Sequence, residues 1–250
     1  MDERPEEIWA RPVAKMTVSD LPLGATNLNV EGRQPVSPLQ GFGPLWQKTY
    51  RIRLRGVKTT AAEVMAVWKE KFPQFQPKGN RFYPPAGGVR SGEIIFIESA
   101  VSVWPGRLPG IPISSGVRII YNDDVCFTIM TPQGFPESGW NSFSTFEEEG
   151  ETWVQVQSMA RSADPIYEFG FRFMGGGRFQ EETWQHVVKA VAAHFGVSGE
   201  PVEVIRTCID PRLQWKEVRN LWQNAMIRSM LYMPVRLFRR TTRRPGGHRE

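Results

Sequence analysis

Few side chains in this chain have a type and spacing that would support chemistry. His186 and His194 stand eight positions apart in one helical stretch, with Glu182 one turn before His186. Two residues at i, i+8 are too far apart to share one ion, and neither Cys nor Asp lies near them in sequence, so the pattern reads as a surface helix with an i, i+4 Glu–His pair and no metal is expected. The chain has no Gly-x-Ser-x-Gly, no Gly-rich phosphate loop after a strand and no His-Glu-x-x-His. Gly175-Gly176-Gly177 falls inside a helical pattern and reads as a break or a point of close packing. Asp123 and Asp124 read as a turn, and Cys126 as a small core residue in a strand. Cys126 and Cys208 are too few and too far apart for a disulfide framework or a zinc site, which points to a reducing compartment. Arg161, close to Asp164, is either a buried ion pair or a polar group in a cavity. If the protein is an enzyme, its acid–base groups come from Tyr121, Arg161, Tyr167 and His186, and no cofactor is implied.

The aromatic and methionine content carries more. Trp46, Tyr50, Phe143, Trp153, Met159, Phe169, Phe173 and Trp184, with Arg161 as a polar companion, are expected to line an apolar pocket for a hydrophobic or lipid-like small molecule. Each of them singly also fits an ordinary core. The rival reading is an enzyme of the same architecture, a cyclase, hydratase or hydrolase acting on an apolar substrate.

The formal charge of +5 is unevenly spread. From Arg206 onward eleven basic residues stand against three acidic ones, an excess of eight, which leaves residues 1–205 at −3. Apolar residues interleave with arginines from Pro211 to Arg240, as in an amphipathic helix on an anionic membrane surface, with Trp222, Met226, Arg228, Arg236, Arg239 and Arg240 as contacts. The alternative is a helix packed on its own domain followed by a basic end. No strand platform mixing aromatic and basic residues favours nucleic acid. The first residues, Met-Asp-Glu-Arg-Pro-Glu-Glu, lack the apolar segment of a secretory signal, and no window reaches about 18 uninterrupted apolar residues, so the expected location is cytoplasmic, peripheral to the inner membrane surface if the tail binds there.

The elements that must position these groups are legible in part. Residues 1–43, rich in Pro and without a period, read as an extended arm docked through Ile8, Trp9, Leu21 and Leu23. Residues 44–197 form the domain. A half-buried first strand runs through Trp46, Tyr50, Ile52 and Leu54, and a helix opens at the capping box Thr60–Glu63 and stops at Pro73. Residues 77–88 read as a turn-rich connection. Strands follow at 93–98, 115–121, 125–131, 139–146 and 152–159, the last two joined by the turn Glu147–Gly150. Asp164-Pro165 starts a helical stretch broken at Gly175–Gly177 and ended by Gly196. Residues 198–250 read as a linker, an amphipathic helix and a basic tail. The order is α+β, a curved antiparallel sheet wrapped around a long C-terminal helix.

That order resembles the START-like helix-grip superfamily (SRPBCC, with the birch-pollen allergen as a member), which implies a hydrophobic cavity between sheet and helix. Within it, Phe127-Thr-Ile-Met-Thr-Pro-Gln-Gly-Phe-Pro-Glu-Ser-Gly-Trp140, Glu149-Gly-Glu-Thr-Trp153 and Ser158-Met-Ala-Arg-Ser-Ala-Asp-Pro-Ile-Tyr-Glu-Phe-Gly170 resemble the family called domain-of-unknown-function 1990. Phe135 stands where that family's turn carries His, and Ser162 where its step into the final helix carries Pro. The resemblance implies a fold and no activity.

Overall fold

The computed structural model describes residues 8–101 and 111–232. Its strands are β1 (Leu45–Arg53), β2 (Asn80–Tyr83), β3 (Ile94–Val101), β4 (Ile111–Asn122), β5 (Cys126–Met130), β6 (Glu137–Glu148), β7 (Glu151–Ser162) and β8 (Glu203–Asp210). They form one sheet in the order β2-β3-β4-β5-β6-β7-β1-β8, with antiparallel neighbours throughout. The helices are α1 (Ala61–Glu70), α2 (Pro165–Phe173) and α3 (Gly176–His194), and α3 packs on β1 and β7. This is the sheet gripping a long helix that the sequence predicts.

Local chemistry accounts for the boundaries. Thr60 Oγ1 accepts from Glu63 N at 3.2 Å while Glu63 Oε2 accepts from Thr60 N at 2.8 Å, so α1 starts with two of its orphan donors satisfied. Asp164 Oδ1 accepts from Ile166 N and Tyr167 N, and Pro165 occupies the first turn of α2, where a missing N–H costs nothing. Gly175, at φ +79°, ends α2 and turns the chain into α3, a conformation open to glycine at little cost. The β6–β7 turn is tight because Glu149 and Gly150 both adopt positive φ.

One core fills the space between sheet and helices. Phe127 stacks on Phe143 with centroids 4.6 Å apart, and Trp68, Phe72 and Trp184 meet Phe143 edge-on at 5.4–5.7 Å. Val64, Val154, Val156, Val187 and Val191 close around them, each without exposed surface.

Several expectations are corrected. Residues 77–88 contain β2, which extends the sheet beyond β3. The arm docks by Met16, Val30, Val36 and Phe42, all at most 3% exposed, and Met16 and Val30 cover Ile94 and Phe96 on the face of β3 away from α3. Ile8 and Trp9 attach by backbone bonds beside Tyr121, whereas Leu21 and Leu23 point to water. Residues 203–232 are not a linker and a separate helix beside a domain ending at 197, and residues 233–250 lie outside the described residues. β8 pairs along β1 from Leu45 to Arg51, a 3-10 helix spans Trp215–Gln223, and a helix from 225 to 232 is described. Asn224 and Ala225 have no exposed surface, because Asn224 Nδ2 donates to Asp164 Oδ2 at 2.8 Å and Ala225 sits among Ile113, Ala163 and Tyr167.

Candidate functional site

Strand alternation places one row of side chains from each of β1, β6 and β7 on the face that α3 covers. Register aligns Trp46 with Ala160, Lys48 with Ser158, and Glu137 with Ser162. The break at Gly175 holds α2 and the first turn of α3 off this end of the sheet, and a cleft of about 250 Å³ remains between them. Pro44, Trp46, Ala160 and Phe171 give it apolar walls; Lys48, Glu137, Ser158, Glu168, Arg172 and Gln180 give it polar ones.

The polar groups form two connected sets. Glu137 accepts from Gln180 Nε2, Gln180 Oε1 accepts from Lys48 Nζ at 3.0 Å, and Lys48 Nζ lies 3.5 Å from Glu181 Oε1. Glu181 is in turn paired with Arg206 at 2.7 Å, whose hydrogen bonds hold that carboxyl below the ordinary range. Glu137 behaves oppositely. Desolvation at the cleft floor pushes its carboxyl up to about 7, with Lys48 and the Gln180 bond opposing part of the rise. On the other side Glu168 accepts from Ser162 Oγ at 2.6 Å and from Arg172 Nη2 at 3.0 Å. This arrangement needs Gly43, since a Cβ there would lie 2.1 Å from Ser162 Oγ and 2.3 Å from Glu168 Oε2.

Next to the inner end of the cleft are buried polar atoms with no hydrogen-bond partner among the described residues: Tyr50 Oη, Asn141 Oδ1 and Trp184 Nε1. Tyr50 follows Lys48 on the same face of β1, Asn141 is opposite Ser158, and Trp184 is one helical turn beyond Gln180. Burial, with Glu181 and Glu137 nearby, raises the pKa of Tyr50, which stays a protonated donor.

Of the residues expected to line a pocket, Trp46 lines the cleft, while Tyr50 and Trp184 back it. Phe143 belongs to the aromatic stack that fills the deeper interior. Trp153, Met159 and Arg161 fall on the opposite face of β7, because they alternate with Val154, Ser158 and Ala160. Trp153 lies between the guanidinium groups of Arg51 and Arg53, each 4.8 Å from its ring. Arg161, 3% exposed, pairs with Asp210 at 2.6 Å and donates to the carbonyls of Gly43 and Arg212. Phe169 and Phe173 face solvent, 57% and 67% exposed, since α2 turns Tyr167 and Phe171 inward instead.

None of the four acid–base candidates reaches the cleft. Tyr121 donates to Asp123, which pushes its hydroxyl up to about 12 in a turn. Arg161 is the ion pair just described. Tyr167 donates to Gly134 O and accepts from Met226 N, and His186 is exposed on α3. Among the described residues no group of His, Cys, Asp and Glu is arranged to hold a metal. In the C-terminal set Trp222 is 87% exposed, but Met226 packs beside Tyr167 and Ala225, and Arg228 Nε donates to Asn29 Oδ1 at 3.0 Å. Arg236, Arg239 and Arg240 lie outside the described residues. Sequence reasoning missed Lys48, Glu137, Glu168 and Gln180; the one signal available was a lysine on the otherwise apolar face of the first strand.

No family model matches the sequence and no curated protein matches it, so the resemblance to domain-of-unknown-function 1990 gains no support. Similar solved structures include a START superfamily protein from Mycobacterium smegmatis, 17% identical over 62% of this chain and 98% of that one, with a TM-score of 0.39. Ginseng major latex-like protein 151 from Panax ginseng is 12% identical over 61% and 99%, with a TM-score of 0.39. The di-domain ARO/CYC StfQ from the steffimycin biosynthetic pathway is 11% identical over 62% and 53%, with a TM-score of 0.45. Scores of this size bear on neither ligand nor activity; the helix-grip fold is read from the chain's own strand order and from α3 lying across β1 and β7.

Proposed function

We propose that this protein binds a small amphiphilic molecule in the cleft between the α2–α3 junction and strands β1, β6 and β7. One observation carries the reading: polar groups from three strands and two helices converge on a concave site whose remaining walls are Pro44, Trp46, Ala160 and Phe171. A few placed polar groups in an otherwise apolar recess is the usual composition of a ligand site. The volume, about 250 Å³, is below the roughly 300–1,000 Å³ of drug-sized pockets, and the aromatic stack around Phe143 occupies the deeper interior. The ligand is therefore a compact molecule with one ring or short chain against Trp46 and Phe171, and a hydrogen-bonding end towards Lys48, Glu137 and Gln180. A two-chain lipid does not fit. Native mass spectrometry of protein purified without denaturation tests this: the expected result is a small co-purifying mass that Trp46→Ala loses, and a wild-type protein that never carries or takes up such a mass contradicts it.

A second reading is favoured by Glu137. A carboxyl that titrates near neutrality beside an ammonium group can exchange a proton with a bound substrate. Glu137→Gln keeps a hydrogen-bonding group at this position and removes the titrating proton, so a binding module is expected to change in affinity alone, whereas an acid–base enzyme keeps binding and loses turnover.

A further inference from the structure

Three polar atoms behind the cleft are left over by the hydrogen bonds that organise its walls. Tyr50 Oη, Trp184 Nε1 and Asn141 Oδ1 lie on residues 0%, 7% and 5% exposed, and none has a hydrogen-bond partner among the described residues. A buried donor or acceptor without a partner is costly, so a bound group that satisfies several of them at once gains affinity from each.

Strand register brings the three into one neighbourhood. Tyr50 and Phe143 are both paired with Val156, one from β1 and the other from β6, and the Trp184 ring meets Phe143 at 5.7 Å. Asn141 is two positions before Phe143 on the same face of β6 and pairs with Ser158. Ser158 lines the cleft and pairs on its other side with Lys48, so the step from the cleft to these atoms runs past Ser158. From above, α3 covers the same place, since Gln180 bonds both Lys48 and Glu137 and Trp184 comes one turn later. The charges of Glu181 and Glu137 act on the Tyr50 hydroxyl, which places it towards this end of the sheet.

The chemistry of the set decides what fits. An indole N–H only donates and a protonated tyrosine donates, so two donors border this space with an acceptor, the Asn141 oxygen, beside them. An anion is poorly matched: Lys48 is committed to Gln180 and Glu181, and the row of Tyr50, Val156 and Phe143 holds no cation to balance a buried charge. A hydrocarbon leaves all three atoms unpaired. A neutral carbonyl oxygen has two lone pairs, takes both donors and brings no charge. We propose that the ligand of this cleft carries a carbonyl group whose oxygen accepts from Tyr50 Oη and Trp184 Nε1, with a hydroxyl or N–H next to it that donates to Asn141 Oδ1. The proposal rests on ligand binding in the cleft and names the chemical class of the ligand's inner end.

The test titrates the 15N-labelled full chain with three matched probes: phenacyl alcohol, which has a carbonyl and a neighbouring hydroxyl, acetophenone, which has the carbonyl alone, and ethylbenzene, which has neither. All three are expected to shift the Trp46 indole resonance, whereas only the two carbonyl probes move the Trp184 indole proton downfield, as a new hydrogen bond does. Tyr50→Phe is expected to weaken both carbonyl probes about fivefold and to leave ethylbenzene unchanged. Asn141→Leu should weaken phenacyl alcohol by a similar factor and spare acetophenone. Should a variant fail to fold, the comparison of probes at the wild-type Trp184 indole decides alone. A Trp184 proton that responds to acetophenone as it does to ethylbenzene, or a Tyr50→Phe protein that binds acetophenone as the wild type does, overturns the carbonyl assignment and leaves cleft binding standing. Probes that leave the Trp46 indole unmoved overturn cleft binding and the assignment with it.

Discussion

Replacing Glu137 by Gln tests the electrostatics of the cleft floor through stability alone. The unfolded chain ionises this carboxyl near 4.5, the folded chain near 7. Between those values the folded protein holds a proton that the unfolded chain has released. The contribution of Glu137 to stability is therefore full below pH 4.5, falls as pH rises through the window, and is lost above 7. A separation of about two and a half pH units, at about 1.4 kcal/mol each, sets a ceiling of about 3 kcal/mol. Glutamine keeps the shape and an acceptor for Gln180 Nε2, but has no proton to lose. Urea unfolding of both proteins from pH 5 to 9 should show the variant gaining about 2–3 kcal/mol on the wild type across that range. Lys48→Met should move the wild-type transition to higher pH, since Lys48 now favours the ionised carboxylate. Parallel pH profiles, or a variant that gains towards acid instead, would refute the claim that burial dominates at Glu137.

Three further outcomes follow from the packing. Asp210→Ala strands the buried Arg161 guanidinium and should lower the melting temperature more than Arg161→Met, which removes the charge together with its demand for a partner. Gly134→Ala should cost about 2–4 kcal/mol in urea unfolding, because its φ is +86° and a Cβ would stand 1.9 Å from the Gln223 carbonyl oxygen, forcing the 3-10 helix to move. A chain ending at Gly199 should show no cooperative melt by circular dichroism, as it lacks β8 beside β1 and the groups that meet Asp164 and Tyr167.

The parts of this fold legible in the sequence are those set by local chemistry. Thr60 with Glu63, Asp164 with Pro165, and Glu149-Gly150 each act within a few residues, and each stands where the sequence puts it. β8 was hidden because Glu203–Asp210 does not alternate: as an edge strand with little covering it, it leaves Ile205 and Ile209 half exposed and Arg206 and Thr207 beside them. The stretch from Pro211 has helical spacing, yet its burial depends on Asn224 reaching Asp164, sixty positions away. The cleft was illegible for the same reason. Lys48, Glu137, Glu168 and Gln180 come from four elements, form no motif, and meet only through strand register and the break at Gly175. The aromatic signal was real but misassigned: period-two alternation sends Trp153 to the far face, and helical phase turns Phe169 and Phe173 outward.

The most direct test of ligand binding at this cleft is a fragment screen by two-dimensional amide and indole NMR on the 15N-labelled full chain, titrating compact amphiphiles with one hydrogen-bonding end. Binding in the cleft predicts saturable shifts at the Trp46 indole, the Gly177 and Gln180 amides and the Ser158–Ser162 segment, all reduced in Lys48→Glu. Fragments that leave those resonances still while shifting others, or that shift none at all, would contradict it.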